Sequence, residues 1–574
     1  MDEFATANLD ALRPILADRA SAGREQLLPV LLETQRAFGY LSEPALVEIG
    51  RALHVPLAEI HGVMQFYTML YDQPTGSTII RVCTGPRCAE LGGRQALEQA
   101  GEALEIAPGE VTEDGKYMLE EVPCLCLCDQ APAALVGEAP VGDLDPTSPE
   151  GWIHSPQEAS KGYVGGEPRW LTARCGEIAP TDLAAYEAHG GFEALHRAVE
   201  EMEPEQVVEE MKASGLVGRG GAAFPTGLKW QFTREAEGGP PIVVANGDES
   251  EPGTFKDRVL MEYDPYSLLE GMALAGYAVG AERGYLYIRG EYGRAQRIMH
   301  EAIRLAQESG RLGAGIFGGD FSFDVELRSG AGAYVCGEET ALFESIEGKR
   351  GFPRLKPPYP TTNGLFDKPT VINNVETLCA AAWIISHGAQ AYRSVGTEDS
   401  PGVKMFCLSG DVRRPGVYEA PFGISIREII EMAGGPRGEI QAVLLGGAAG
   451  VFAGPGELDV GLSFEAMKAA GLTLGSGAVM VTNGERDLRQ SLLELARFFA
   501  HESCGKCFPC QLGTQRQLEI IEALAEGKTS GADLEALRDV IFTMTNASIC
   551  GLGMTAGTAI LSALEKFPGA LTLN

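Results

Sequence analysis

Eight of the thirteen cysteines stand in two groups whose spacing suits metal or cluster chemistry. Cys83 and Cys88 have four residues between them, Cys124 and Cys128 have three, and thirty-five residues separate the two pairs. Two loops can bring four such thiolates around a 2Fe-2S cluster, in which each iron takes two soft anionic ligands. Structural zinc is the alternative at this first group, although it more often uses a two-residue spacing. The second group is Cys504-Gly505-Lys506-Cys507-Phe508-Pro509-Cys510, with Cys550 forty residues on. Three cysteines at two-residue intervals plus a distant fourth fit a 4Fe-4S cubane: a compact loop covers three irons and a remote segment closes the fourth. A zinc knuckle has little use for the third close cysteine. Cys126, inside the second pair, reads as a packed bystander. Cys175, Cys336, Cys379 and Cys407 read as small buried apolar residues.

A second kind of chemistry is written in glycine. The stretch Gly218-Arg219-Gly220-Gly221-Ala222-Ala223-Phe224-Pro225-Thr226-Gly227-Leu228-Lys229-Trp230 lets backbone N–H groups approach a phosphate, and Arg219 and Lys229 add positive charge. Its start satisfies G-x-G-x-x-A, but a dinucleotide fingerprint follows a strand and opens a helix. This one follows a helical stretch, Pro204 to Ser214, so it is not the usual Rossmann loop. A plain surface loop would leave Lys229, Trp230 and Phe232 unexplained. Three further segments have site-loop composition: Asn246 to Gly253, Gly330 to Glu339 and Ile372 to Thr377. Amides and carboxylates suit ribityl and ribose hydroxyls, and glycines suit a planar ring lying on the backbone. Each alone would pass for turn chemistry.

The elements that carry these residues follow from periodicity. Ala11 to Leu70 has helical spacing, with Pro44 and Pro56 where new helices begin. Ser77 to Cys83 is β-like, a helix follows through Gly92 to Ala103, and Tyr117 to Val122 reads as a strand. Gly137 to Arg174, rich in Gly, Pro, Asp and Ser, reads as a linker. Helices and strands such as Ile242 to Ala245 and Gly284 to Ile288 alternate from Pro180 to Gly396 as in an α/β sandwich. Val403 to Thr482 reads as a β-grasp-like module with one helix from Ser425, a plausible N-cap, to Ala433. Arg486 to Phe567 is helical. The expected division is 1–75 helical bundle, 76–140 first cysteine domain, 141–178 linker, 179–400 α/β domain, 401–485 β-grasp module and 486–574 helical cysteine domain.

Composition narrows the class. A chain of 574 residues with 79 acidic against 46 basic side chains, net charge −33, would be repelled by nucleic acid or an anionic membrane surface. The apolar run Leu268 to Gly280 is too short to span a bilayer. Met1-Asp2-Glu3-Phe4 is acidic and lacks the form of a secretory signal, so the cytoplasm is the expected compartment.

On these motifs, the chain from about Pro180 onward resembles the FMN-containing, NADH-binding subunit of respiratory complex I and its relatives in NAD-linked hydrogenases and formate dehydrogenases. The first 140 residues resemble the thioredoxin-like 2Fe-2S subunit that partners it, here in the same polypeptide. The resemblance implies a multidomain α/β protein: a helical bundle, a thioredoxin-like domain, a Rossmann-like FMN/NADH domain, a β-grasp module of the soluble ligand-binding type and a C-terminal helical bundle. It implies FMN held by Gly218, Arg219, Gly220, Lys229, Asn246, Asp248, Glu249, Tyr334, Gly337, Glu338, Asn373, Asn374 and Thr377. NADH would meet Phe224, Phe232, Glu251, Glu339, Lys356 and Tyr359. Cys83, Cys88, Cys124 and Cys128 would hold a 2Fe-2S cluster, and Cys504, Cys507, Cys510 and Cys550 a 4Fe-4S cluster.

The implied activity is hydride exchange between NAD(H) and FMN, followed by single-electron transfer through the clusters to partner subunits, with no general acid or base required. Three positions depart from the family pattern: Ala223 where glycine is common, Gly247 where alanine is common, and Tyr359 where phenylalanine is usual. Fusion of the two parts is more familiar in soluble formate dehydrogenases and hydrogenases than in complex I, which favours the former as parent. The competing readings are the NADH-input module of complex I, a flavin-based bifurcating subunit and a colourless zinc scaffold. Bifurcating relatives often carry further ferredoxin-like cysteine sets, and none follows Cys550.

Overall fold

The computed structural model describes residues 9–571 apart from 18 and 161; Met1 to Phe4, read above for a targeting signal, lie outside the described residues. The first segment is helical, and its prolines act as expected. Pro44 occupies the first turn of helix Glu43–Leu53, and Pro56 is the N-cap of helix Leu57–Met64.

Four short strands follow: β1 (Thr78–Cys83), β2 (Tyr117–Val122), β3 (Ala134–Val136) and β4 (Ala139–Val141). They form one sheet in the order β2-β1-β3-β4, with β1 parallel to β2 and the β3–β4 hairpin antiparallel beside them. Helix Gly93–Leu104 supplies the crossover connection that a parallel pair needs. Because β1 and β2 run in register, Cys83 lies opposite Val122 and both loops leave the same edge of the sheet. That topology brings Cys83 and Cys88 to Cys124 and Cys128.

The stretch read as a linker is ordered, which corrects that expectation. It holds β4, helix Pro149–His154 and β5 (Tyr163–Gly166). β5 pairs in parallel with a strand more than 250 residues later. Gly166 has φ 106, and a Cβ there would lie 1.9 Å from the Glu419 carbonyl oxygen, so the glycine-rich composition serves close strand contact rather than looseness. The buried Glu419 carboxylate then accepts N–H bonds from Trp170, Leu171 and Thr172 at 2.8–3.0 Å and pins the chain that follows.

The central domain carries β6 (Ile242–Gly247), β7 (Arg283–Ile288), β8 (Asp324–Ser329) and β9 (Thr370–Asn374), all parallel in the order β8-β7-β6-β9. Strand order reverses between β6 and β9, and ligands of such sheets bind beyond the carboxyl ends at that point. Helices Pro265–Val279 and Val375–His387 cover the sheet; both are apolar almost all round because both are enclosed. Fully burying each of their Leu, Ile or Met side chains contributes about 1.5–3 kcal/mol. The apolar run at Leu268 is thus a core helix, and no described helix is long and apolar enough to cross a membrane.

The third sheet takes β10 (Val403–Gly410), β11 (Gly416–Pro421), β12 (Ile440–Leu445), β13 (Val451–Ala453) and β14 (Ala478–Asn483), in the order β13-β12-β14-β10-β11-β5. Helix Ile426–Met432 begins on Ser425, whose side chain forms a capping box with Glu428. Helices Leu488–Glu502, Phe508–Ala525, Gly531–Ala547, Gly551–Thr555 and Thr558–Lys566 close the chain.

Candidate active site

The carboxyl ends of β6 and β9 form the floor of a groove, and the glycine loop forms its wall. Strand β6 ends on Asn246-Gly247 and passes directly into Asp248; β9 ends on Asn373-Asn374. The loop Gly218 to Pro225 follows helix Pro204–Ser214, as the sequence indicated, but also opens helix Thr226–Glu235, which the sequence reading did not expect, and it is tied to β9's successor helix by the Arg219 N–H donating to Thr377 Oγ1 at 2.9 Å. Gly220 is exposed, and a Cβ on it would lie 3.3 Å from Asn374 Cβ. On the opposite side, the Asn246 amide donates to the Gly337 carbonyl at 2.9 Å, and a Cβ at Gly337 would lie 3.3 Å from the Asp248 carbonyl. Gly220 and Gly337 thus leave both sides of the groove free of side chains at these points.

Asp248 is the most telling group in it. Its Oδ1 accepts from Ser250 Oγ at 2.9 Å, while Oδ2 is buried with no partner. Burial pushes its carboxyl up to about 7. A buried unsatisfied acceptor costs on the order of 1–3 kcal/mol unless something donates to it, which a flavin ribityl hydroxyl can do. Beside the groove, Phe224, Phe232 and Tyr359 expose 43, 46 and 58 % of their surface, a large apolar display for residues that ordinarily hide. Phe224 and Phe232 lie with ring centroids 6.5 Å apart. Lys356 Nζ, on the same side, pairs with Glu338 at 2.8 Å and Glu339 at 2.6 Å. Together these provide stacking faces, a cation and carboxylates for a nucleotide.

Several predicted residues support the groove from behind. The Arg219 guanidinium is buried over the Phe422 ring, 4.4 Å from its centroid, and donates to the Tyr392 hydroxyl; only its backbone faces the loop. Lys229 Nζ donates to the Ile372 carbonyl at 3.0 Å, and burial lowers its pKa. Asn373 Oδ1 accepts from Trp230 Nε1 at 2.9 Å, and the Asn374 amide donates to Asp257 Oδ2 at 2.6 Å. Glu249 accepts from the N–H groups of Asp257 and Arg258, both at 3.0 Å, capping a helix. Glu338 caps helix Glu339–Ile346. Glu251 accepts from the Tyr334 hydroxyl at 2.5 Å and from the Ala449 N–H at 2.7 Å, tying the central domain to the third sheet.

Sequence reasoning missed a charged layer under this floor. Lys256 Nζ lies 2.6 Å from Asp257 and 3.0 Å from Glu376, and Lys404 Nζ lies 2.8 Å from Glu376. Burial pushes Glu376 up, but Lys404 and Lys256 pull it down to about 2. The signal was present: Lys404 interrupts the wholly buried strand Val403–Gly410, where a lysine has to be paired.

Two of the three departures from the family pattern also have physical readings. Gly247 is enforced, because a Cβ there would lie 2.8 Å from the Tyr287 carbonyl oxygen. Ala223 holds φ 53, a left-handed position that glycine occupies at lower cost.

The first cysteine set is buried throughout, and the Cys83 thiol interacts with those of Cys124 and Cys88, as Cys128 does with Cys124. Cys504, Cys507, Cys510 and Cys550 line one hollow with Lys506, Pro353 and Leu552. Cys507 and Cys550 stand at the N-caps of helices Phe508–Ala525 and Gly551–Thr555, and the N–H groups of Leu552 and Gly553 reach the Cys550 sulfur. Burial pushes the Cys504 thiol up, Cys510 up to about 12 and Cys550 to about 11, so thiolates at these positions call for a cationic centre. Both sets therefore fit soft, positively charged cluster irons.

The comparisons agree with this geometry. Residues 13–155 match the family described as thioredoxin-like 2Fe-2S ferredoxin, and 211–383 the Nuo51 FMN-binding domain. Residues 405–445 match the SLBB domain, and 490–573 the NADH-ubiquinone oxidoreductase-F iron-sulfur binding region. These assignments replace the zinc alternative at both cysteine groups. An NADH-quinone oxidoreductase subunit of Rhizobium meliloti is 48 % identical over 67 % of this chain and 92 % of its own length. The alpha subunit of the NAD-reducing hydrogenase HoxS of Cupriavidus necator is 35 % identical over 98 % of this chain and 94 % of its own. A chain in the crystal structure of an NAD+-reducing NiFe hydrogenase in the air-oxidised state superposes with TM-score 0.84 at 35 % identity, covering 96 % of this chain and 94 % of that one. With four family matches in one polypeptide and relatives aligned over nearly their whole length, the chain belongs to the FMN- and iron-sulfur-carrying oxidoreductase subunits that include this NADH-quinone oxidoreductase component and the alpha subunit of NAD-reducing hydrogenase.

Proposed function

We propose that this chain is the diaphorase subunit of a soluble, cytoplasmic NAD-linked dehydrogenase of the hydrogenase or formate dehydrogenase type. FMN, when bound, exchanges hydride with NAD(H) and passes single electrons to the clusters. The chain's own task is placement. Gly218 and Gly220, with the Arg219 backbone, cradle the phosphate end of FMN, and Asn246, Asp248, Gly337 and Asn374 line its ring and ribityl chain. Lys229, Glu249, Tyr334, Glu338, Asn373 and Thr377 hold that cradle in shape. Phe224, Phe232 and Tyr359 stack on NADH, Lys356 meets its phosphates and Glu339 flanks a ribose, while Glu251, expected beside the ribose, instead braces the site through Tyr334 and Ala449. Carboxylates there repel a 2′-phosphate, favouring NAD over NADP. Cys83, Cys88, Cys124 and Cys128 ligate the 2Fe-2S cluster, and Cys504, Cys507, Cys510 and Cys550 the 4Fe-4S cluster.

The observation that carries the choice of parent is length. The hydrogenase relative aligns over 98 % of this chain, whereas the quinone-linked one aligns over 67 % with 92 % of its own length already used. The domain division is read as 1–75, 76–140, 141–178, 179–400, 401–485 and 486–574, with the third segment an ordered connector. Purification with natural partners tests the reading. About six irons per chain, one flavin and NADH-dependent dye reduction are expected, with nickel, or molybdenum or tungsten, in the partner. Quinone reduction without those metals would move the chain to complex I, and colourless, flavin-free native protein would end the proposal.

A further inference from the structure

Arg289 follows the carboxyl end of β7 and is 4 % exposed. All five of its guanidinium N–H groups have acceptors. Nε and Nη2 donate to the Glu291 carboxylate at 3.1 and 2.8 Å. The other Nη2 hydrogen goes to the Cys124 carbonyl at 2.9 Å. Nη1 donates to Cys126 Sγ and to the Glu249 carbonyl, both at 2.9 Å. One planar cation thus joins the loop that carries Cys124 and Cys128 to the loop that carries Asp248 and Glu249, and a guanidinium is the only side chain with a fork rigid enough to do so. Cys126 is shaped for this. It holds φ 52, is fully buried, and also lies 3.7 Å from the Glu251 carbonyl, so it is a bracket between domains rather than the bystander its place in the sequence suggested.

We propose that Arg289 is a positioning residue for electron exchange between the flavin and the 2Fe-2S cluster: it fixes the cluster loop against the flavin loop and, as a buried positive charge beside the Cys124 peptide, raises the cluster's reduction potential. The inference rests on the ligand assignment proposed above. The step served is the passage of one electron between the two centres; no bond forms or breaks at Arg289 and no proton leaves it. Hydrogen bonding and net charge around the sulfurs set cluster potentials, and removing the cation would take from the partly buried Glu291 carboxylate its ion-pair partner, which acts in the same direction.

The test is a redox titration of the holoprotein followed by electron paramagnetic resonance. Arg289→Gln should shift the 2Fe-2S potential downward while leaving the 4Fe-4S potential and FMN content unchanged. Arg289→Lys should recover most of the potential but not the 2Fe-2S line shape, because an ammonium cannot make the five bonds. An unmoved 2Fe-2S potential in Arg289→Gln, or both potentials shifting together, overturns the proposal. If Arg289→Gln does not accumulate, Cys126→Ala decides: an altered 2Fe-2S line shape with an unaltered 4Fe-4S signal supports the bracket, and two unaltered signals overturn it. Native protein with flavin but no 2Fe-2S signal would sink the ligand assignment itself, a failure visible before any variant is made.

Discussion

Cys83, Cys88, Cys124 and Cys128 are all buried, whereas Cys504, Cys507 and Cys550 keep partial exposure and Cys510 alone of the second set is enclosed. The surroundings differ in the same sense. The first set lies at the edge of a four-stranded sheet and is braced to the central domain by Arg289 and by an Arg258–Asp129 pair at 3.2 Å. The second lies among helix ends, with Phe508, Leu512 and Phe542 exposing 75, 63 and 70 % of their surface nearby. Apolar side chains displayed to that degree mark a surface built to be covered. The first site is thus enclosed and braced against the central domain. The second opens to the outside and suits delivery to another subunit.

Breaking the outward site should have the largest effect. Cys507→Ser removes a proposed ligand of the exposed set, and transfer from NADH to the partner subunit should fall by more than about a hundredfold, since even outer-shell changes at metal sites cost 10–100-fold. FMN should stay bound and reducible by NADH. Stopped-flow flavin reduction beside partner reduction measures both, and undiminished partner reduction would place the exit elsewhere. Next in size is the flavin cradle that serves both sites. Gly220→Val puts branched carbons where a single Cβ already lies 3.3 Å from Asn374. Overpacking costs about 1–3 kcal/mol, so FMN affinity should drop roughly ten- to a hundredfold, read by flavin fluorescence after dialysis. A fully yellow variant would show the cradle to be misplaced.

These two tests rest on features the sequence displayed openly. Cysteine spacing, the glycine loop and the site segments are local, and strand Ile242–Gly247 opens on a β-branched run that needs no tertiary context. What the sequence hid is long-range. Gly165 and Gly166 look like linker residues because nothing nearby reveals that Tyr418 and Glu419 will pair with them. Arg289 and Cys126 look ordinary for the same reason: their meaning lies in a contact across 163 residues. Lys404 stood between, visible as an anomaly but without a partner in sight.

The enclosed site should tolerate loss far better. Cys88→Ser is expected to abolish the 2Fe-2S signal, yet steady-state transfer from NADH to the partner should slow by no more than about threefold, a barrier change under 1 kcal/mol. A cluster that exchanges electrons only with the flavin would lie off the outward path. Loss comparable with that in Cys507→Ser would erase the distinction between the sites and put the 2Fe-2S cluster in the main line.

The smallest effect separates strain that serves a contact from strain that does not. Cys126 and Ala223 hold nearly the same left-handed backbone, φ 52 and 53. Such a conformation costs a non-glycine residue about 1–2 kcal/mol. At Ala223 no polar contact of the side chain offsets it, so Ala223→Gly should raise stability by about 1 kcal/mol, less the extra chain entropy glycine loses on folding. Cys126→Gly relieves the same strain but takes away the sulfur that accepts from Arg289. Leaving that donor unmatched in a buried site costs about 1–3 kcal/mol, which outweighs the relief. Thermal unfolding at matched flavin and iron content should therefore move up for the first variant and down or nowhere for the second. Equal upward shifts would mean that the Cys126–Arg289 contact contributes nothing, and the enclosed site would lose its bracket.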